Sequence, residues 1–296
     1  MIDASRNVGD LIMPRTVVAT EKYRSEQISP GVLLEQFHPG GKDGPNGEVR
    51  SAYPGGQVWS EMIVLGDESD AFQLAVPDIR LPANQLWPLH WHDCWVGIVI
   101  LEGSCLIGDW WMEPGDVLIT GAGLEYGPLL NGPRGCRMFE IFAKLHLQVG
   151  GYGPEYHDHP TLQGASLPFN FAERTGVNTR NEGRQTLALD GVDGFTKGRL
   201  LPGAQWDLGD RDDPDRGVMC VTRLAPGEKL EPHAYEDWHA LLVFDGELQI
   251  AGRTVGKDQY LSIRPHSRVE ELQAGPEGAL ILEVSRTARG MRLQPA

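Results

Sequence analysis

The ten residues Gly132 to Ile141, Gly-Pro-Arg-Gly-Cys-Arg-Met-Phe-Glu-Ile, return 143 positions later as Gly275 to Val284, Gly-Pro-Glu-Gly-Ala-Leu-Ile-Leu-Glu-Val. A spacing of that length implies one structural unit written twice, so the chain is constrained to fold as two similar halves. At the same offset His90 falls on His233 and Gly103 falls on Gly246. The repeat therefore carries a scaffold and a candidate ligand together.

The chain has 296 residues, of which 41% are hydrophobic, which suits two domains with a core each. A net charge near -15 repels phosphate backbones and anionic lipid, so neither nucleic acid nor a membrane is expected as a partner. The opening Met1 to Arg6 is polar and the longest apolar run, Trp95 to Leu101, is too short for a membrane span. Cys94, Cys105, Cys136 and Cys220 form no Cys-x-x-Cys pair, which argues for reduced thiols in a cytoplasmic protein.

Helical periodicity is scarce, whereas short runs rich in β-branched and aliphatic residues recur between turn signals. Ile98 to Leu101, Val117 to Thr120, Leu241 to Phe244 and Ala279 to Leu282 are examples. With 37 Gly and 21 Pro to supply turns, the expectation is all-β, with two tandem jelly-roll barrels whose closure removes exposed edges. We divide the chain into an N-terminal arm at 1–30, a first barrel at 31–150, a linker at 151–185 and a second barrel at 186–296. The arm has weak pattern and is expected to lie over the other domain or over a partner subunit.

Alternate side chains of an extended strand share a face, so His90 and His92 of His90-Trp91-His92 point the same way while Trp91 points away. The pair precedes a hydrophobic strand, the turn Leu101-Glu102-Gly103 and then Glu113-Pro114-Gly115-Asp116. This order resembles the cupin superfamily, whose first motif runs His-x-His, Glu, Gly and whose second motif begins Gly-Asp and ends on a histidine. Both halves resemble cupins, over roughly residues 58–145 and 205–287, which makes the chain similar to a bicupin. The resemblance implies the jelly-roll fold and a pocket that holds a divalent metal in many members.

The family pattern is incomplete here. Its glutamate falls on Val96 and its last histidine on Tyr126. The resemblance therefore implies a first-barrel metal held by His90 and His92 and completed by Glu125 or Tyr126. In the second half His233 matches the first ligand, Tyr235 replaces the second, His239 takes the glutamate position and Val269 replaces the last histidine. His233, Tyr235 and His239, with Glu270, are the second-barrel candidates, and that site is expected to be degenerate.

Glu140 and Glu283 are repeat partners on alternating strands, and an acid there is costly unless paired. Glu140 is a candidate proton carrier if its face looks into the barrel, and otherwise a strand-end carboxylate. Parity puts Trp91 and Trp95 opposite the histidines, against another sheet or subunit, and leaves Trp110 as the better pocket residue. Cys94 shares the histidines' parity, but a small buried thiol is the commoner use of such a residue. His157-Asp158-His159 stands in a Pro/Gly-bounded connection and His266 reads as a turn residue.

Among bicupin activities, we expect a metal-dependent dioxygenase cleaving a small phenolic or dicarbonyl compound, with Fe(II) first and zinc, manganese or nickel as alternatives. Tyr126 and Glu140 are the expected catalytic groups. The competing readings are a lyase or isomerase, or a non-catalytic small-ligand sensor similar to the zinc-binding cupin domains of anti-sigma factors. Burial of the outward tryptophans implies a homodimer.

Overall fold

The computed structural model describes residues 24–37, 59–67, 69–70, 73–81, 83–84, 86–87, 91–108, 110–124, 126–127, 129–145, 149–150, 195–213, 215–291 and 293–295. In chain order the strands are β1 (Arg24–Ser29), β2 (Val32–Gln36), β3 (Trp59–Leu65), β4 (Leu74–Leu81), β5 (Leu86–Trp87), β6 (Trp91–His92) and β7 (Val96–Ile107). They continue as β8 (Trp110–Met112), β9 (Asp116–Thr120), β10 (Leu129–Phe142), β11 (Val149–Gly150), β12 (Phe195–Arg199), β13 (Gln205–Leu208) and β14 (Gly217–Leu224). The last are β15 (Lys229–Leu230), β16 (His233–Tyr235), β17 (His239–Ile250), β18 (Arg253–Val255), β19 (Gln259–Ile263), β20 (Leu272–Ser285) and β21 (Leu293–Pro295). The fold is all-β, and a short 3-10 turn at Ala288–Met291 is the one helical element among the described residues.

The repeat governs element boundaries as well as residues. Strands β4, β5, β7, β8, β9 and β10 each start and stop 143 positions before β14, β15, β17, β18, β19 and β20. Registers follow the same offset: Cys136 pairs with Gly103 where β10 meets β7, and Ala279 pairs with Gly246 where β20 meets β17. Both glycines adopt positive φ, 71° and 73°, and an added Cβ would lie 2.1 Å from the carbonyl oxygen of Gly135 or Gly278. Only glycine fits this turn and this approach, which is why it recurs.

Among the described residues the strand pairs are antiparallel, in an eight-stranded sheet ordered β12-β9-β7-β10-β4-β3 and a nine-stranded sheet ordered β1-β2-β19-β17-β20-β14-β13, each with short side pairings, and in two small two-stranded sheets, β11-β6 and β16-β21. The halves exchange edges. Strand β12 lies in the segment expected to form the second barrel yet pairs with β9 of the first half, and β2 lies in the segment expected to form the first barrel yet pairs with β19 of the second. The two exchanges dock at equivalent places, because Leu200 N donates to Gly115 O at 2.7 Å and Phe37 N to Asp258 O at 2.9 Å, and these two acceptors are one repeat apart.

Strand parity sorts side chains into three cores. Val96, Ile98, Ile100, Met138 and Phe142 fill the first half, while Leu241, Val243, Leu261 and Ile281 fill the second. The alternate residues, among them Val99, Phe139 and Ile141 with Leu242, Leu280 and Leu282, form a core shared between the halves. Each such side chain contributes roughly 1.5–3 kcal/mol when fully buried, so the seam is a structural interior and not a loose domain contact. Trp95 packs on this seam core and Trp110 on the first interior, as parity predicts.

Among the described residues no helix is long and apolar enough to cross a membrane. The four cysteines are free thiols.

Candidate functional site

Glu140 lies on β10 between Met138 and Phe142, so its carboxylate enters the first interior. His92 ends β6, is only 5% exposed, and meets the edge of Phe142 with ring centroids 5.0 Å apart. Tyr126, fully buried, stands between them. Its hydroxyl donates to Glu140 Oε1 at 2.6 Å and lies 2.9 Å from His92 Nε2. A phenol has one proton, and here the carboxylate takes it, so Nε2–H of His92 donates to the tyrosine oxygen. The result is a directed line of hydrogen bonds, His92 to Tyr126 to Glu140, with His92 Nε2 also 3.7 Å from Glu140 Oε1.

The second interior repeats the carboxylate and replaces its partners. Glu283 accepts from Thr222 Oγ1 and, at 3.1 Å, from His239 Nε2. Burial alone would raise its pKa, but the bonds from His239 and Thr222 together with the nearby His233 outweigh burial and hold it below the ordinary carboxylate value. An ionised carboxylate only accepts, so Nε2 of His239 carries the proton. Tyr235 stacks on His239 at 3.8 Å, and burial followed by the charge of Glu283 pushes its phenol well up. His233 is fixed by donating Nδ1–H to Glu231 O at 2.8 Å, which leaves its buried Nε2 without a partner in the structure.

These geometries test the expected metal centres. A metal-binding imidazole presents one bare nitrogen and donates with the other, and His233 does so. His239 does so too, donating Nε2–H to Glu283 while its buried Nδ1 has no partner in the structure, and His92 donates its Nε2–H to Tyr126. Among the described residues no group of three His, Cys, Asp or Glu side chains is placed to hold a metal ion. The described residues alone therefore do not make a metal centre in either half. His90 and Glu125, which the first-barrel expectation also needs, lie outside the described residues, as does His157-Asp158-His159.

Other expectations separate cleanly. Glu270 is corrected: it is partly exposed, is paired with Arg268 at 3.1 Å and takes no part in the second interior. Val269 is buried and exchanges backbone hydrogen bonds with His233 in place of a ligand. His266 is a turn residue at φ 57°. Cys94 is buried, and desolvation with the charge of Asp93 pushes its thiol up to about 12, the behaviour of a packed thiol and not a ligand. Thr222 is a site residue that sequence reading missed, since its repeat partner is Ile79 and nothing local marks it.

No protein-family model matches the chain, and no curated protein does. Solved structures do share its architecture. A protein from Nostoc punctiforme PCC 73102, provisionally described as a dioxygenase, is 13% identical with a TM-score of 0.52 over 83% of this chain and 89% of its own. A mutant of Bacillus subtilis oxalate decarboxylase is 14% identical with a TM-score of 0.52 over 79% and 74%, and a second mutant of that enzyme reaches 0.51 at 13% identity over the same shares. Two tandem jelly rolls, a histidine and a carboxylate inside each, and these neighbours together define the class: the chain has the cupin fold. With both halves built on it, the chain is a bicupin in architecture.

Proposed function

We propose that the chain is a bicupin enzyme acting on a small oxygenated molecule, phenolic or dicarbonyl in class, within the first half, where His92, Tyr126 and Glu140 handle protons. The observation that carries this reading is the unbroken line from His92 Nε2 through Tyr126 Oη to Glu140 Oε1 inside an otherwise apolar core. Polar groups so placed are costly unless they are used or fully paired. A substrate oxygen brought to Tyr126 meets a proton that Glu140 can hold and His92 can replace, so the relay protonates or deprotonates without recruiting bulk water. The neighbour described as a dioxygenase supports an oxidative form of the reading.

Fe(II), or zinc, manganese or nickel in its place, would supply Lewis-acid or redox chemistry, and the oxidative form needs His90 and Glu125 to provide what the described residues lack. We further infer a homodimer in the cytoplasm, supported by the 42% exposure of Trp111 and by the free thiols.

The test is turnover of catechol-like and 1,3-dicarbonyl compounds by protein supplied with Fe(II) and by protein stripped of metal, with oxygen uptake recorded. Oxygen consumption in step with substrate selects the dioxygenase, and turnover without it selects a lyase or isomerase. Binding without turnover by wild type, or full turnover by Tyr126→Phe, overturns the proposal.

A further inference from the structure

Strand β12 brings a cation to the first interior. Lys197 pairs with Leu118 of β9, Leu118 with Ile98 of β7, and Ile98 with Glu140 of β10, so the four residues form one row across the sheet. Directly opposed residues of neighbouring antiparallel strands share a face, and Ile98 and Leu118 are fully buried in the first core. Lys197 and Glu140 therefore stand at the two ends of a row that looks into the first half, about 14 Å apart along the sheet. Phe195, two residues before Lys197, packs on the same core.

The second half has an apolar residue at this place. Strand β2 docks there as β12 docks here: Leu34 pairs with Leu261, which is the repeat partner of Leu118. Leu34 is buried in the second core, whereas Lys197 is only partly buried and extends to Trp110, its ammonium 5.3 Å from the centre of the indole ring. Trp110 belongs to β8, which joins the far end of β7, and it too packs on the first core. The ammonium thus reaches from one wall of the first half to another, and an aromatic face attracts a cation yet leaves its charge intact. Apart from Glu140 at the far end of the row, the charged groups described around this interior are paired with each other: Arg199 lies 3.4 Å from Asp116, and Lys144 lies 2.5 Å from Asp93.

We infer that Lys197 selects the substrate of the first half by receiving a carboxylate carried by the phenolic or dicarbonyl compound. The inference rests on the proposed function and narrows its substrate to an organic acid. With the carboxylate on Lys197, the body of the molecule lies along the apolar row of Leu118 and Ile98, and its far oxygen meets Tyr126 beside Glu140. The length of the row keeps the guest's carboxylate away from that of Glu140. A leucine at this place, as in the second half, would leave the acid's charge unpaired against an apolar wall, which is costly.

Calorimetry of the full chain at about pH 7, where carboxylic acids are ionised, compares 3,4-dihydroxybenzoate with its neutral methyl ester. The acid should bind at least about tenfold tighter than the ester, and Lys197→Leu, which copies the second half, should bring the two within about twofold of each other. Lys197→Arg should keep most of the preference. Should Lys197→Leu fail to fold, Lys197→Gln is measured in its place. Equal binding of acid and ester by wild type, or a preference for the acid that survives the loss of the lysine, overturns this inference and leaves the proton relay standing. Binding of neither compound overturns both. A lysine-dependent preference for the acid without turnover removes the reaction and keeps Lys197 as the residue that binds the acid.

Discussion

Glu140 and Glu283 occupy the same position of the two long return strands, yet one is bonded by a tyrosine and the other by a histidine and a threonine. The scaffold preserves an inward carboxylate in each half, and what surrounds it differs. Tyr126 serves Glu140 from the second-motif turn, whereas the side chain of Val269 at the equivalent place is apolar and packs, and His239 substitutes from β17.

Tyr126→Phe removes the proton donated to Glu140 and leaves a buried carboxylate short of a partner. It should destabilise the protein by about 1–3 kcal/mol and abolish most turnover. Urea denaturation together with the activity assay checks both, and a variant that loses activity with unchanged stability would assign Tyr126 to chemistry alone.

Arg137→Met removes the three shorter hydrogen bonds to Asp78, which is fully buried and keeps the 3.5 Å contact from Arg80, and also releases Asp258 across the seam. Breaking a buried pair from one side costs about 3–5 kcal/mol. The denaturant midpoint should fall sharply, and the double variant Arg137→Met/Asp78→Leu should recover much of the loss because no buried charge then remains unpaired.

Glu283 has a folded pKa below its ordinary value of 4.5. The sign follows from proton binding: the unfolded chain takes up the proton first as pH falls, so stability from this group is present above that value and is lost as pH drops through the lower folded pKa. Folding free energy measured between about pH 6 and pH 3 should therefore decline less steeply in Glu283→Gln than in wild type.

Burial, followed by Asp93 in one case and Glu283 in the other, pushes Cys94 and Cys220 up to about 12. At pH 8 only about one thiol in ten thousand is then ionised, so alkylation should be slow in the native protein and fast once it is unfolded. Rapid native labelling of Cys94 would contradict the packing described here.

The homodimer inferred from Trp111 predicts a light-scattering mass twice that of one chain. A mutation of Trp111 to Glu should lower it to one chain's mass without loss of β-structure.

Much of this protein is written locally. The repeat set the strand boundaries, alternation put His92 and Glu140 on an inward face and Trp95 on the seam, and the glycines at 103 and 246 marked a turn that only glycine can make. These are properties of a few consecutive residues, and the 2-residue period of a strand makes them readable. Which edge each strand joins was decided elsewhere. The exchange of β2 and β12, the reach of Asp258 to Arg137, and the choice of Thr222 and Tyr126 as partners for the two carboxylates all depend on segments far apart in sequence. Local pattern tells a side chain which face to take, but not which distant group will be there to meet it, because that is settled by how closed sheets pack against one another once their apolar faces are buried.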